Sequence, residues 1–257
     1  MSFTVEYLEY SLLVFVRIIS IFYAAPLFGN RAVINKVKIG LAFFLTLIIM
    51  NVVDYTAVSY EGLLGYSIIV VQEAITGLII GIASGFCMYI LNYAGSFIDM
   101  EMGLSMAMEF DPNSNMQSTI TANFLSHLFI AMFLVSDMHH FVINAMVDSY
   151  TLVPIGQGNI AGGSLYQVMV KFITDYFVIG LRISLPIFAC MFVINIVLGV
   201  LAKVAPQMNM FIVGMQLKLF VGFFVLFMVM GMISGISDFI FGEMKELTNM
   251  FMKILAP

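Results

Sequence analysis

The chain has 257 residues, 62% hydrophobic and 10% charged, with a mean hydropathy of +1.06 and a formal net charge of −5. Soluble domains carry roughly 25% charged residues, so this composition excludes an ordinary soluble domain and marks an integral membrane protein. The thin spread of charge excludes an acidic tail and a nucleic-acid-binding surface.

The N-terminus does not read as a cleavable signal. Glu6 and Glu9 stand where a signal peptide carries positive charge, Arg17 interrupts the apolar run, and Pro26 follows Ala24-Ala25. The first helix is therefore expected to be retained. A span needs roughly 17–25 apolar residues. Tyr7–Phe28 and Val37–Val53 qualify. Leu63–Ile98 is too long for one upright span and contains Glu73, so it is either one long tilted helix or a broken one. Thr119–Ser136 follows, then the short Phe141–Ile155 with Asp148. Val168–Ala202 is interrupted by Arg182 and Pro186, and Phe211–Phe241 closes the set with Lys218 near its start. Six to eight helices are expected, and the fold class is all-α.

Arg31, Lys36 and Lys38 fill the first connection, and Lys203 and Lys218 flank the turn around Pro206, Gln207 and Asn209. The positive-inside rule makes both connections cytoplasmic and leaves the N-terminus outside. Gly77, Gly81 and Gly85 form a small-xxx-small series that allows close helix packing, and Gly231 with Gly235 forms another. The Gly156–Gly163 stretch reads as an exposed loop, without the Lys-Ser/Thr ending of a phosphate loop.

No catalytic constellation is present. Cys87 and Cys190 lie in apolar runs and read as buried hydrophobes, not as a disulfide or a metal site. His139 and His140 stand at a helix end with Asp137, which reads as an ordinary loop terminus without enough ligands for a metal. Neither a metal nor a cofactor is expected. Arg17, Glu73, Lys171, Asp175, Arg182 and Lys218 lie within apolar segments. Such charges mark ion or proton paths by default. The alternative is structural: Lys171 with Asp175 on one helix face, Arg17 or Arg182 with Glu73 across helices. We favour the structural reading, because no helix carries two acids at relay spacing.

The segment Gly95–Met116 departs most from the rest, with four carboxylates, five methionines and an Asp111-Pro112 pair. A charge in hydrocarbon costs at least ~2.5 kcal/mol, so this segment faces water, a pore or another protein. Asp-Pro followed by Asn-Ser-Asn disfavours a continuing helix. Non-helical backbone at membrane depth is tolerated where it is buried in protein or lines a water-filled cavity. Flexible Met side chains reform contacts after displacement. Two readings stay open from composition: a compressible closure in a wide pore, or a solvated loop between helices.

Several blocks, in order, carry a resemblance: Arg17 and Ala25-Pro26; Arg31 and Lys36-Val-Lys38-Ile-Gly40-Leu41; Gly77–Gly85; Gly95-Ser-Phe-Ile-Asp99 with Gly103-Leu-Ser; Asp111-Pro112; Pro154-Ile-Gly156; Gly180-Leu181 with Ser184-Leu-Pro186; Asn195 with Leu198-Gly199; and Ala205-Pro206-Gln207-Met-Asn209 with Phe211 and Gly214. With these the chain resembles the FliR family of flagellar export-gate subunits, whose injectisome relatives are called SctT.

The resemblance implies a polytopic fold in two parts: FliP-like helices over residues 1–165 and a FliQ-like hairpin over 166–257. It implies a non-enzymatic gate subunit in the inner membrane, within the flagellar basal body. The subunit would be surrounded by lipid and by several copies of FliP and FliQ, next to FlhB, and would pass unfolded flagellar proteins. The family's plug loop matches residues 106–120, which favours pore closure and selects Met106, Met108, Phe110, Asp111, Pro112, Asn113 and Met116. Lys203, Pro206, Gln207 and Asn209 fall in the cytoplasmic turn towards FlhB. The family's Met gasket belongs to FliP, so the Met cluster here either seals the pore itself or packs against that gasket. The competing functions are an injectisome homologue and an ion-coupled secondary transporter. A transporter predicts inverted repeats and midplane acids on broken helices, for which Glu73 and Asp99 are the candidates.

Overall fold

Apolar runs this long satisfy their backbone polar groups internally, and they do so as helices. The computed structural model describes residues 5–26, 28–29, 33–53, 58, 60, 62–107, 109–111, 116–159, 163–207 and 209–257; of residues 106, 107, 109–111, 116–118, 163, 164, 210 and 211 the backbone alone is described. The elements are α1 (Val5–Ala24), α2 (Asn35–Val52), α3 (Gly62–Met102), a 3-10 turn (Leu104–Ala107), β1 (Glu109–Asp111), β2 (Met116–Ser118), α4 (Ile120–Val135), α5 (Met138–Leu152), α6 (Gly163–Val204), α7 (Met210–Met230) and α8 (Ile233–Leu255). The all-α expectation holds, with one short two-stranded ladder added.

Of the two possibilities for Leu63–Ile98, the single long helix is found: α3 runs for 41 residues without a break. The last expected span is corrected. Phe211–Phe241 is two helices, parted at Gly231-Met232, and the second continues to Leu255. Gly231 and Gly235 therefore do not share a helix, and no neighbouring atom lies within 4 Å of where a Cβ on Gly235 would be. Pro186 sits inside the 42-residue α6 without ending it. Four described helices, α2, α3, α6 and α7, are long and apolar enough to cross a membrane, and α4 with α5 would make a fifth span if the pair counts as one.

The chain divides into two compact units. The first comprises Met1–Cys87, Leu134–Ile173 and Phe241–Pro257. Its buried side chains include Leu13, Ile18 and Phe22 of α1, Ile80, Ala83 and Phe86 of α3, and Val142 and Met146 of α5. Met244, Leu247, Phe251 and Leu255 of α8 belong to the same core. Phe172 links Phe86 and Phe251, with ring centroids 4.7 and 6.1 Å away. The second unit comprises Met88–Phe133 and Thr174–Ile240. Its centre is Ile98, Met102, Leu125, Ile187, Met191 and Ile194. Partly buried Leu198, Leu217, Val221 and Val225 pack against them.

Burial is uneven along the apolar helices. In its most apolar stretch α3 is 61% buried, whereas α6 is 17% and α7 11% buried. Phe220, Phe223, Phe224 and Phe227 all lie exposed along α7.

Candidate functional site

The plug candidate begins where α3 stops. Gly103 adopts φ +81°, a left-handed conformation that glycine takes without a Cβ penalty. Its N–H still donates to Met100 O at 3.3 Å. The 3-10 turn follows and contains Met106. The chain then doubles back, with Glu109 opposite Ser118, Phe110 opposite Gln117 and Asp111 opposite Met116 in an antiparallel ladder. Met108, Pro112 and Asn113 fall outside the described residues. After the 3-10 turn, the described backbone carries no helix again until α4 begins at Ile120.

Both ends of this excursion are tied together beneath it. Asp99, fully buried in the last turns of α3, accepts the Thr121 N–H at 2.7 Å and the Thr121 hydroxyl proton. Thr121 stands in the first turn of α4, where orphan N–H groups and the helix dipole favour a carboxylate. Asp99 therefore caps α4 from another helix. One turn back, a Cβ on Gly95 would lie 2.3 Å from Ala122 Cα. No side chain larger than hydrogen fits between those backbones. Met102 is also fully buried, and its Cε would lie 2.5 Å from a Cβ on Gly222. Sequence reading left Asp99 as a weak transporter candidate and missed the clamp. The available signal was a buried-type Gly95-xxx-Asp99 face followed by the hydroxyl-rich Ser118-Thr119-Ile120-Thr121 helix start.

The other intramembrane acid is equally occupied. Glu73 and Arg17 have no exposed side-chain surface and form a two-point pair, Nε to Oε2 at 2.5 Å and Nη2 to Oε1 at 3.0 Å. Arg17 Nη1 also donates to the carbonyls of Ser149 and Val153 at 3.0 and 2.8 Å, at the C-terminal end of α5. That end carries the negative pole of the helix, which a cation stabilises. Glu73 Oε1 accepts the Gly156 N–H at 2.9 Å. The Tyr150 ring centroid lies 4.5 Å from Arg17 Cζ, and the Tyr150 hydroxyl donates to Val14 O at 2.9 Å. Of the two arginines proposed for Glu73, Arg17 is the partner, and Arg182 is exposed. Lys171 donates to Glu246 on α8 at 2.7 Å.

The glycine series lies beside this pair. A Cβ on Gly77 would lie 2.5 Å from Arg17 O, and one on Gly81 would lie 2.7 Å from Ala24 Cβ and 2.8 Å from Ile21 O. Gly85 is buried. Lys203 lies in the last turn of α6, Pro206 and Gln207 form an exposed turn, and Asn209 precedes α7. The Asn209 carbonyl accepts the N–H groups of Ile212 and Val213 at 3.1 and 3.2 Å. Its side chain makes no cap hydrogen bond. Neither cysteine is in a disulfide; Cys87 is buried and Cys190 half-buried.

Comparison with known proteins follows the same extent of chain. The model of the bacterial export proteins, family 1, matches residues 8–244. The flagellar biosynthetic protein FliR of Bacillus subtilis (strain 168) is 33% identical over 224 residues, 86% of each chain. FliR of Pectobacterium carotovorum subsp. carotovorum is 31% identical over 91% of this chain and 88% of its own. FliR of Escherichia coli (strain K12) is 29% identical over 90% and 88%. A family match across both units, together with relatives aligned over most of their length, makes this chain a member of the bacterial export proteins, family 1, the FliR family.

Proposed function

We propose that this chain is a non-enzymatic gate subunit of a flagellar protein export apparatus in the bacterial inner membrane, and that residues 106–120 are its movable plug. The observation that carries the reading is the break in α-helix between α3 and α4, where the described residues form a 3-10 turn and a short ladder. The base of this segment is locked by Asp99 and Thr121, while the described backbone of its body pairs in a three-residue ladder. A short ladder with a firm base can be displaced and can return without disturbing the helices that carry it. The exposed apolar surfaces of α6 and α7 suit a subunit covered by lipid and by FliP and FliQ neighbours. The exposed turn of Lys203, Pro206, Gln207 and Asn209 suits a cytoplasmic contact with FlhB. The transported chain would be an unfolded flagellar protein. A transporter reading loses support because both of its candidate acids are saturated by fixed donors. The flagellar reading is favoured over an injectisome one by the names of the relatives.

Deletion of residues 106–116 tests this. The deleted chain is expected to assemble with its partners and to conduct ions, seen as single-channel current and salt-dependent loss of growth. Replacing Met106, Met108 and Met116 together by Ala should leak less, because the backbone bulk remains. An assembled, ion-tight deletion would reduce the segment to a connecting loop. A cysteine in place of Asn209 should crosslink to FlhB and react with an impermeant thiol reagent from the cytoplasmic face alone.

A further inference from the structure

The turn between α4 and α5 holds a group of side chains that neither the plug nor the buried ion pair uses. Asp137 sits in it with φ +54°, the one non-glycine residue with positive φ among those described. It immediately precedes α5, where Asp commonly caps, yet its side chain makes no cap hydrogen bond. Its carboxylate instead faces His140, with Oδ1 3.5 Å from Nδ1. The rings of His139 and His140 lie 4.1 Å apart between centroids, inclined by 38°. One ligand atom from each of Asp137, His139 and His140 falls within 4.8 Å of the other two. His139 Nδ1 is buried and has no hydrogen-bond partner among the described residues.

These features share one explanation. A backbone conformation that a non-glycine residue rarely adopts turns the carboxylate away from capping and towards two imidazoles. One of those imidazoles leaves a buried nitrogen without a hydrogen-bond partner among the described residues, which is unfavourable. We infer that Asp137, His139 and His140 form a surface site for a divalent transition metal such as Zn2+, with water filling the remaining positions. Imidazole and carboxylate together suit Zn2+ among the available ions. Tetrahedral Zn2+ with bonds of about 2.0–2.1 Å places its ligand atoms about 3.4 Å apart. The Asp137–His140 pair already stands near that separation, and the exposed side chains of Asp137 and His140 need only small rotations to close the rest. Because all three ligands lie within four consecutive residues, bound metal would stiffen this turn without joining distant parts of the chain.

The test is Zn2+ titration of the full chain, purified in its export complex, against a fluorescent zinc indicator. Asp137→Asn and His140→Ala remove exposed ligands, so the fold should survive both. His127→Ala is the control, because His127 is exposed on α4 and its Nδ1 contacts Asn123 O. The expected result is a site that competes with the indicator in the wild type. It should weaken at least tenfold in each of the two ligand variants and be unchanged in His127→Ala. X-ray absorption of the zinc-loaded complex should report nitrogen and oxygen ligands with imidazole scattering. Equal binding by wild type and His140→Ala, or binding lost as much in His127→Ala, would overturn the assignment. So would an affinity so weak that it appears only at millimolar zinc.

Discussion

Each unit of the protein buries a carboxylate in the long helix α3, and the two are neutralised in opposite ways. Glu73 in the first unit is matched by a cation, Arg17, whose Nη1 protons find two carbonyls at the end of α5. Asp99 in the second unit is met by neutral donors at a helix start, and no cation among the described residues pairs with it. A buried ion pair depends on both members, because losing one strands the other's charge. A carboxylate held by N–H and O–H donors loses less when one bond goes. The first arrangement fastens four segments that need never part. The second fastens a base from which a loop departs. The two regions are thus distinguished by the kind of partner their acids have, a cation in one and neutral helix-start donors in the other.

The largest effect should come from Arg17→Ala. Leaving Glu73 buried and unpaired is expected to cost about 3–5 kcal/mol, seen as loss of the complex in thermal-stability size exclusion. The double variant Arg17→Met with Glu73→Leu should recover part of that loss, since uncharged packing replaces both charges. If the double variant is no better than the single, the ion pair is not what the region depends on.

Gly81→Leu comes next. Its side chain would enter a space already closed by Ile21 and Ala24, and overpacking costs about 1–3 kcal/mol, occasionally more. Reduced recovery of the complex in native mass spectrometry is the expected outcome. Normal yield and stoichiometry would show that α1 and α3 can separate at this crossing.

Asp99→Asn should be milder for stability and more specific in effect. The amide can still accept one bond but not two on the same side, a loss of about 1–3 kcal/mol. The complex is expected to assemble and to show a raised ionic leak. Reduced assembly without leak would make Asp99 a second structural fastening like Glu73, and the contrast between the units would collapse.

The smallest effect belongs to the surface. Tyr60 donates to Glu9, and that bond, with the carboxylate charge, raises the phenol to about 12. The neutral phenol is the donor, so the bond is present below the ordinary tyrosine value near 10 and is lost as pH rises through about 12. The difference in ultraviolet titration between wild type and Tyr60→Phe should show this late ionisation, and Glu9→Gln should move it down.

Hydropathy located most of the helices, because a run of apolar residues bounded by charge or proline has few other options. It failed where apolarity is uninformative or absent. The break at Gly231-Met232 lies inside an apolar run, and nothing in its composition separates α7 from α8. The rest of α8 was missed for the opposite reason. Lys245, Glu246 and Lys253 make it unlike a span, although Met244, Leu247, Phe251 and Leu255 give it a buried face. At the candidate site, Asp111-Pro112 announced that no helix runs through that point, but α3 already stops ahead of Gly103, which the pair does not mark. The strand pairing that follows was not legible, since strands of three residues are too short to show alternation. The Arg17–Glu73 pair could be offered from charge alone, but choosing between Arg17 and Arg182 needed three-dimensional contacts.

Arg17 is made early and completed late. Its partners lie 56 to 136 residues further along the chain. At roughly 5–20 residues per second of synthesis, the last of them emerges roughly 7 to 27 s after the arginine itself. Until Glu73 is made α1 carries an unmatched cation, and the pair then waits for the carbonyls of Ser149 and Val153 and for the Gly156 donor. The first helix is therefore a poor candidate for early, independent partition into lipid. It would be retained by the insertion machinery or held at the interface until α5 arrives. The full set of partners around this ion pair therefore exists only once the chain has been made as far as Gly156.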